Sequence, residues 1–197
     1  MTATTRTRLT PEERREQLLE LGLELFAGHT IEEISIDRLS EEAGVSRGLL
    51  YHYFGSKQGF HEAVIQRAAD DLVAQTAPPE GDDPIAQLLA SLAAYVDYVI
   101  ANHAGYRSLV RAAAGGNDAV RGIYERARAE MIDRTFETAG AETFIQDTPL
   151  TRLAVRGWVA FVEDAVLTWC DDPTGVSRDQ LVQLVTDALP AIVATLA

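Results

Sequence analysis

Residues 35–57 read SIDRLSEEAGVSRGLLYHYFGSK, and the order of signals in them is cap, short helix, glycine, cap, short helix. Ser35 is placed to cap a helix running to Ala43, Gly44 to stop it, and Ser46 to cap the next helix only two residues later. Ile34-Ser35-Ile36 is also compatible with a short strand, because its isoleucines are β-branched. Two helices joined across a glycine-containing turn of three or four residues form a helix-turn-helix, in which the second helix enters the major groove of DNA. Ala43 is small, as close helix contact requires, and Val45 is placed to plug the core between the pair. A plain structural helical hairpin carries the same Ala-Gly-Val-Ser pattern.

Outward from this stretch the chain reads as helices throughout. Thr10-Pro11-Glu12-Glu13 is a capping box with proline at the first helical position, and Leu18, Leu21, Leu25 and Phe26 form one apolar face until Gly28. Ser56 opens a long helix from Lys57 to about Gln75, with Phe60, Val64, Ala68 and Leu72 at helical spacing. The run from Pro78 to Pro84 reads as a hinge-like loop. Asp83-Pro84 then caps a helix that fades at Asn102-His103, a short helix is expected from Tyr106 to Ala113, and Asn117 opens another to about Gly140. Thr148-Pro149 starts a long apolar helix to Cys170. Ser177 and Gln180 make a second capping box before a last helix that Pro190 interrupts and bends. The expectation is an all-α chain of about nine helices: an N-terminal three-helix helix-turn-helix head over residues 1–60 and a C-terminal helical body over residues 61–197.

Composition narrows the function. The chain has 197 residues, 47% hydrophobic and 24% charged, the makeup of a soluble globular protein. No stretch approaches the roughly 20 continuous apolar residues of a membrane helix, and no apolar run follows Arg6 and Arg8, so a cytoplasmic protein with no membrane partner is expected. The single cysteine, Cys170, excludes an intrachain disulfide framework and a multi-cysteine zinc site, and reads as a small residue on a helix face. Four histidines, at 29, 52, 61 and 103, show neither metal-ligand spacing nor a nucleophile partner, and no glycine-rich phosphate loop follows a strand. No catalytic residue, metal or cofactor is expected, and the chain is not read as an enzyme.

A net charge of −13 argues at first against nucleic acid. DNA responds to the local field at the contact face, however, so position matters more than the total. Residues 1–60 are net −3 and the remainder net −10. Arg6 and Arg8 lie on an N-terminal arm, Arg14 and Arg15 open the first helix, Arg47 lies within the motif, and Lys57 is the only lysine. Arg38 reads as a solvated surface charge.

The continuation Arg47-Gly48-Leu49-Leu50-Tyr51-His52-Tyr53-Phe54-Gly55-Ser56-Lys57 resembles the DNA-binding head of the TetR family of bacterial repressors, which runs Gly-Val-Ser, Leu-Tyr-His-Tyr-Phe, Ser-Lys. The likeness covers about residues 10–65 closely and the rest only by size and helix count. It implies a ligand-responsive transcriptional regulator, released as a repressor from a palindromic double-stranded operator by a small hydrophobic effector. It also implies a homodimer through the last two long helices, here about 149–170 and 178–195. A helical binding or adaptor protein that keeps the head without regulating through DNA is the alternative.

The expected DNA-binding residues are Ser35, Ser46, Arg47, Gly48, Leu49, Tyr51, His52 and Lys57. Ser46 and Ser56 cap helix ends whose free amides suit phosphates, and Lys57 in a first helical turn is poor dipole chemistry unless an anion sits beside it. Tyr51 and His52 carry polar ring groups suited to the DNA backbone, whereas Tyr53 and Phe54 suit the core. Arg47 fits a guanine edge or a phosphate equally. Gly48 permits close backbone approach. Leu49 stands where the family frequently has Thr or Ser, exchanging a hydrogen bond for contact with a thymine methyl. In the body, Tyr95, Tyr98, His103, Tyr106, Arg107, Tyr124, Trp158, Phe161 and Glu163 are aromatic or polar positions on apolar helices, readable as ligand lining or as core. Glu163, next to Asp164, needs a partner if it faces the interior: Arg107, Arg111 or a cationic ligand.

Overall fold

The computed structural model of the chain describes residues 9–81, 83–137, 145–173 and 175–196. Arg6 and Arg8, and the end of the helix expected to reach Gly140, lie outside them. Among the described residues every regular element is an α-helix, nine in all. Helix α1 (Pro11–Gly28) starts with the expected capping box: the Glu13 amide donates to Thr10 Oγ1 at 3.2 Å, and the Thr10 amide to the Glu13 carboxylate at 2.7 Å. Helix α2 (Ile36–Ala43) is capped by Ser35, whose Oγ accepts from the Arg38 amide at 3.1 Å, so the strand alternative is not taken. Ile34 and Ile36 are buried on either side of the cap. Gly44 ends α2 at φ 63°, a left-handed conformation that only glycine adopts without penalty. Helices α3 (Arg47–Phe54) and α4 (Lys57–Gln75) follow, capped by Ser46 and Ser56.

Leu18, Phe26, Ile34, Leu39, Leu50 and Phe60 are fully buried where α1 to α4 meet. Val45 packs against them from the turn. Removing a side chain of this size from water contributes about 1.5–3 kcal/mol, so this cluster fixes the position of α3. The same core continues into helices α6 (His103–Ala114) and α7 (Asp118–Glu137) through Leu109, Ala113, Val120 and Ile123; packing does not break at residue 60. Two bonds tie the loop before α2 to α6: the Ile31 amide donates to Ser108 Oγ and Ser108 donates to Glu32, both at 3.0 Å. Gly105 allows α6 to lie on α1, since a Cβ there would stand 2.2 Å from the Phe26 carbonyl oxygen.

A second core joins α5 (Pro84–Ala101), α8 (Pro149–Asp171) and α9 (Arg178–Ala194) around Val96, Val99, Val155, Val166, Val185 and Leu189, with Leu72 entering from α4. Tyr98 fastens α5 to α4 by donating to the Ala68 carbonyl at 2.7 Å. Two details differ from the sequence reading. Helix α6 starts at His103 rather than Tyr106, because the break at Asn102 is one residue wide and Asn102 closes α5 by donating to the Tyr98 carbonyl at 3.0 Å. Helix α9 continues through Pro190 to Ala194. Helix α5 is long and apolar enough, by length and composition alone, to cross a membrane, at mean hydropathy 1.4 over 18 residues. Gln87, Ser91 and Asp97 hide this from a search for unbroken apolar runs, and its side bearing Leu92, Tyr95, Val96 and Val99 is buried in the body core.

Candidate functional site

Helix α3 is divided by its own sequence into two sides. Leu50 and Phe54 are buried, with the Phe54 ring edge-on to Phe60 at 5.1 Å between centroids. Arg47, Gly48, Tyr51 and His52 are exposed on the side away from that core, while Leu49 and Tyr53 are half-buried. Residues three and four apart share a helix face, and the pairs Arg47–Tyr51, Gly48–Tyr51 and Gly48–His52 join those four in one outward patch. Ser46 caps α3 through the Leu49 amide, and Ser56 caps α4 through the Gly59 amide at 2.9 Å; both capping serines are exposed, and the other first-turn amides of each helix have no partner within the helix. Lys57 is exposed at the head of α4. Ser35 is half-buried and its oxygen is engaged in the α2 cap. Arg38 pairs with Glu42 at 2.9 Å, the surface role expected of it.

Asp37 escaped sequence reasoning. Its carboxylate holds the Arg47 guanidinium at 2.5 Å, with both side chains more than half exposed. The contact joins the first turns of α2 and α3, and no local pattern signals it.

In the body an open cleft of about 110 Å³ lies among α5, α7, α8 and α9, lined mainly by Leu88, Leu92, Tyr95, Met131, Trp158 and Val162, with Thr76 and Pro78 at the end of α4. Behind it lies a smaller chamber of about 20 Å³ that shares Tyr95, Met131 and Val159 with the cleft and adds Tyr98, Tyr106, Tyr124, Arg128 and Glu163. Six of the nine expected ligand residues therefore meet at these two cavities. The other three do not. Phe161 is 40% exposed on the outer side of α8. Arg107 pairs with Asp171 in the last turn of α8, and His103 Nε2 lies 3.3 Å from the same carboxylate; both line a surface groove with Thr30 and Glu32.

Glu163 does not pair with Arg107 or Arg111. Its carboxylate accepts from Tyr106 at 3.0 Å and from Tyr124 at 2.8 Å, and Arg128 Nη1 donates to the Tyr124 oxygen at 3.0 Å. Tyr95 reaches the same group through Tyr106 at 2.9 Å. Burial pushes the Tyr95, Tyr106 and Tyr124 hydroxyls above the usual phenol range, and the Glu163 charge reinforces the shift. Arg128 was missed because α7 reads as a charged surface helix; its spacing of four from Tyr124 was the available signal. Trp158 is anchored by donating to the Val185 carbonyl at 2.8 Å.

The outer sides of α8 and α9 keep large apolar groups in contact with water: Leu150, Leu153 and Phe161 on α8, and Leu184 on α9, the last 55% exposed. Both helices are thus apolar on the side that packs into the body and on part of the side that does not.

Two family models match the chain. One described as "Bacterial regulatory proteins, tetR family" covers residues 18–64, and one described as "Tetracyclin repressor-like, C-terminal domain" covers 84–191. The HTH-type transcriptional activator FasR of Mycolicibacterium smegmatis is 28% identical over 182 residues, spanning 89% of this chain and 81% of that protein. The HTH-type transcriptional repressor SCO4008 of Streptomyces coelicolor is 29% identical over 101 residues, 51% of this chain and 48% of that protein. A crystal structure of a tetR-family transcriptional regulator from Streptomyces coelicolor superposes with a TM-score of 0.82 at 31% identity, covering 96% of this chain and 85% of that one.

Proposed function

The chain belongs to the TetR family of bacterial regulatory proteins and is a DNA-binding transcriptional regulator rather than an enzyme, and from there we propose that it is a homodimeric repressor of a palindromic operator, released when a small hydrophobic molecule enters the cleft. The observation that carries this reading is the course of α4. Lys57 opens that helix beside the exposed patch of α3, and Thr76, just past its other end, lines the cleft. Its 19 residues span about 28 Å at 1.5 Å per residue. A ligand that bears on the Thr76 end favours one setting of α4 over another, and the heads follow as a shift of population.

On the DNA side Ser46, Arg47, Gly48, Leu49, Tyr51, His52 and Lys57 form the contact surface, with Ser35 holding α2 in place behind it. Repression is the favoured sign, although the relatives include a named activator as well as a named repressor. The homodimer forms through α8 and α9, where Leu153, Phe161 and Leu184 would be covered by their counterparts. Two heads about 34–36 Å apart then read half-sites on one face of the duplex. Acting on chromosomal DNA places the protein in the cytoplasm. The division of labour is the 1–60 head and the 61–197 body, joined through the shared packing of α4 and α6.

Gel-shift titration on the protein's own promoter region tests the reading. Lys57→Ala and Tyr51→Ala weaken binding; unchanged affinity in both rules out operation through this face. Light scattering gives a dimer that Leu184→Glu dissociates, and a monomeric wild type would overturn the assembly.

A further inference from the structure

The hydrogen-bonded group around Glu163 has a direction, because its protons can be counted. A carboxylate only accepts, and a phenol has one proton to give. Tyr106 gives its proton to Glu163 Oε2, so in its contact with Tyr95 the proton belongs to Tyr95. On the other arm Tyr124 donates to Oε1 and in turn accepts from Arg128. All donation runs inward to Glu163. Tyr95, the outer end of the chain, has directed its proton inward, and its oxygen offers further partners lone pairs alone.

Tyr95 also lines both cavities, as Met131 and Val159 do. The smaller chamber exceeds the roughly 10–15 Å³ that a single water-sized group occupies. Arg128 lines it, and the buried Arg128 Nε–H has no hydrogen-bond partner among the described residues. The charges of Glu163 and Arg128 offset one another.

Taking the cleft as the effector site, as proposed above, we infer that the effector is an uncharged, mainly apolar molecule bearing a hydroxyl, an alcohol or phenol, with its apolar part in the cleft and its hydroxyl at Tyr95. The hydroxyl donates to the Tyr95 oxygen and keeps lone pairs for the Arg128 Nε–H. A carboxylate or an ether brings lone pairs against lone pairs at Tyr95. An ammonium brings an unbalanced charge to a neutral group and offers nothing to Arg128. A mismatch of this kind leaves buried polar atoms without partners, which is more damaging than losing the hydrogen bond alone.

The test uses the full chain and three series of probes: the straight-chain alcohols from hexanol to dodecanol, and methyl ethers and carboxylates of matched length. Binding is read from the shift in Tm and from tryptophan emission in a Trp169→Phe background, which leaves Trp158 at the cleft as the reporter. Alcohols should bind about tenfold or more tightly than ethers and carboxylates of the same length. Glu163→Gln turns the chain around. Its amide nitrogen donates to Tyr106, Tyr106 then donates to Tyr95, and Tyr95 donates outward, so the ethers should overtake the alcohols. Tyr95→Phe removes the acceptor and brings alcohols and ethers level. Wild-type protein that binds ethers or carboxylates as well as alcohols overturns the hydroxyl inference and leaves the cleft as effector site standing. A preference for alcohols that survives in both variants overturns it too. If no probe of any head group or length binds, the reading of the cleft itself fails.

Discussion

Gly48→Ala is expected to make the protein more stable and a weaker DNA binder. Gly48 is the second residue of α3 and is exposed; a methyl added there meets nothing nearer than Ser46 Oγ at 3.9 Å. The folded protein accommodates alanine without strain, and alanine for glycine within a helix stabilises by about 0.5–1 kcal/mol. For a chain of this size that is a Tm rise of roughly 1–4 °C. On DNA the same methyl stands on the outward patch between Arg47 and Tyr51 and holds the helix away from the groove. Loss of one good base contact amounts to about 1–3 kcal/mol, roughly 5- to 150-fold in Kd. Thermal melting and fluorescence anisotropy on a labelled promoter duplex, from one preparation, read both effects. A higher Tm with unchanged affinity would show that Gly48 does not face DNA, and a lower Tm would refute the account of α3 itself.

Gly105→Ala should have the opposite effect on stability, because its methyl would lie 2.2 Å from the Phe26 carbonyl oxygen and 2.6 Å from the Phe26 ring; overpacking by about 1–3 kcal/mol lowers Tm by several degrees, and an unaltered melt would refute the close approach of α6 to α1. Asp37→Asn frees Arg47 with a stability change within about 1 kcal/mol, as expected for an exposed pair, and should strengthen binding to non-operator duplex more than to operator. Equal affinities before and after, on both duplexes, would show that Asp37 does not restrain Arg47. His61 donates to the Ile34 carbonyl at 2.7 Å, and burial holds its imidazole below the ordinary value of 6.5. Both folded and unfolded chains are neutral at this position above pH 6.5, whereas between 6.5 and the lower native value the unfolded chain takes the proton first. Tm should therefore fall across that window as pH drops, more steeply than in His61→Gln; parallel curves for the two proteins would sink the assignment.

The features legible in the sequence are those whose partners lie close along the chain. Thr10 with Glu13, Ser35 with the Arg38 amide and Ser177 with Gln180 are all three residues apart, and each cap sits where the sequence puts it. Thr148 forms a reciprocal box as well, with Thr151 in the place usually held by Glu or Gln, so only half of that signal was readable. Glu163 illustrates the limit. Its partners Tyr106 and Tyr124 are 57 and 39 residues away, and choosing them over Arg107 and Arg111 depends on how α6 and α7 rotate about their axes. Helical periodicity placed Tyr95 and Phe161 equally on apolar helices, but the packing of α8 turned Phe161 outward and buried its neighbour Val162.

The pairing of Arg47 with Asp37 also bears on the ions that accompany binding. An arginine that neutralises a DNA phosphate displaces cations condensed on the duplex, so affinity falls as salt rises. If Arg47 takes a phosphate in the contact surface proposed above, it must first leave a carboxylate, and the bared Asp37 draws cations from the medium in return. Added salt screens both contacts, weakening the bond to DNA and loosening the internal one that competes with it. The salt slope of binding should then count fewer ions than the positive side chains at the interface, and the difference belongs to Asp37.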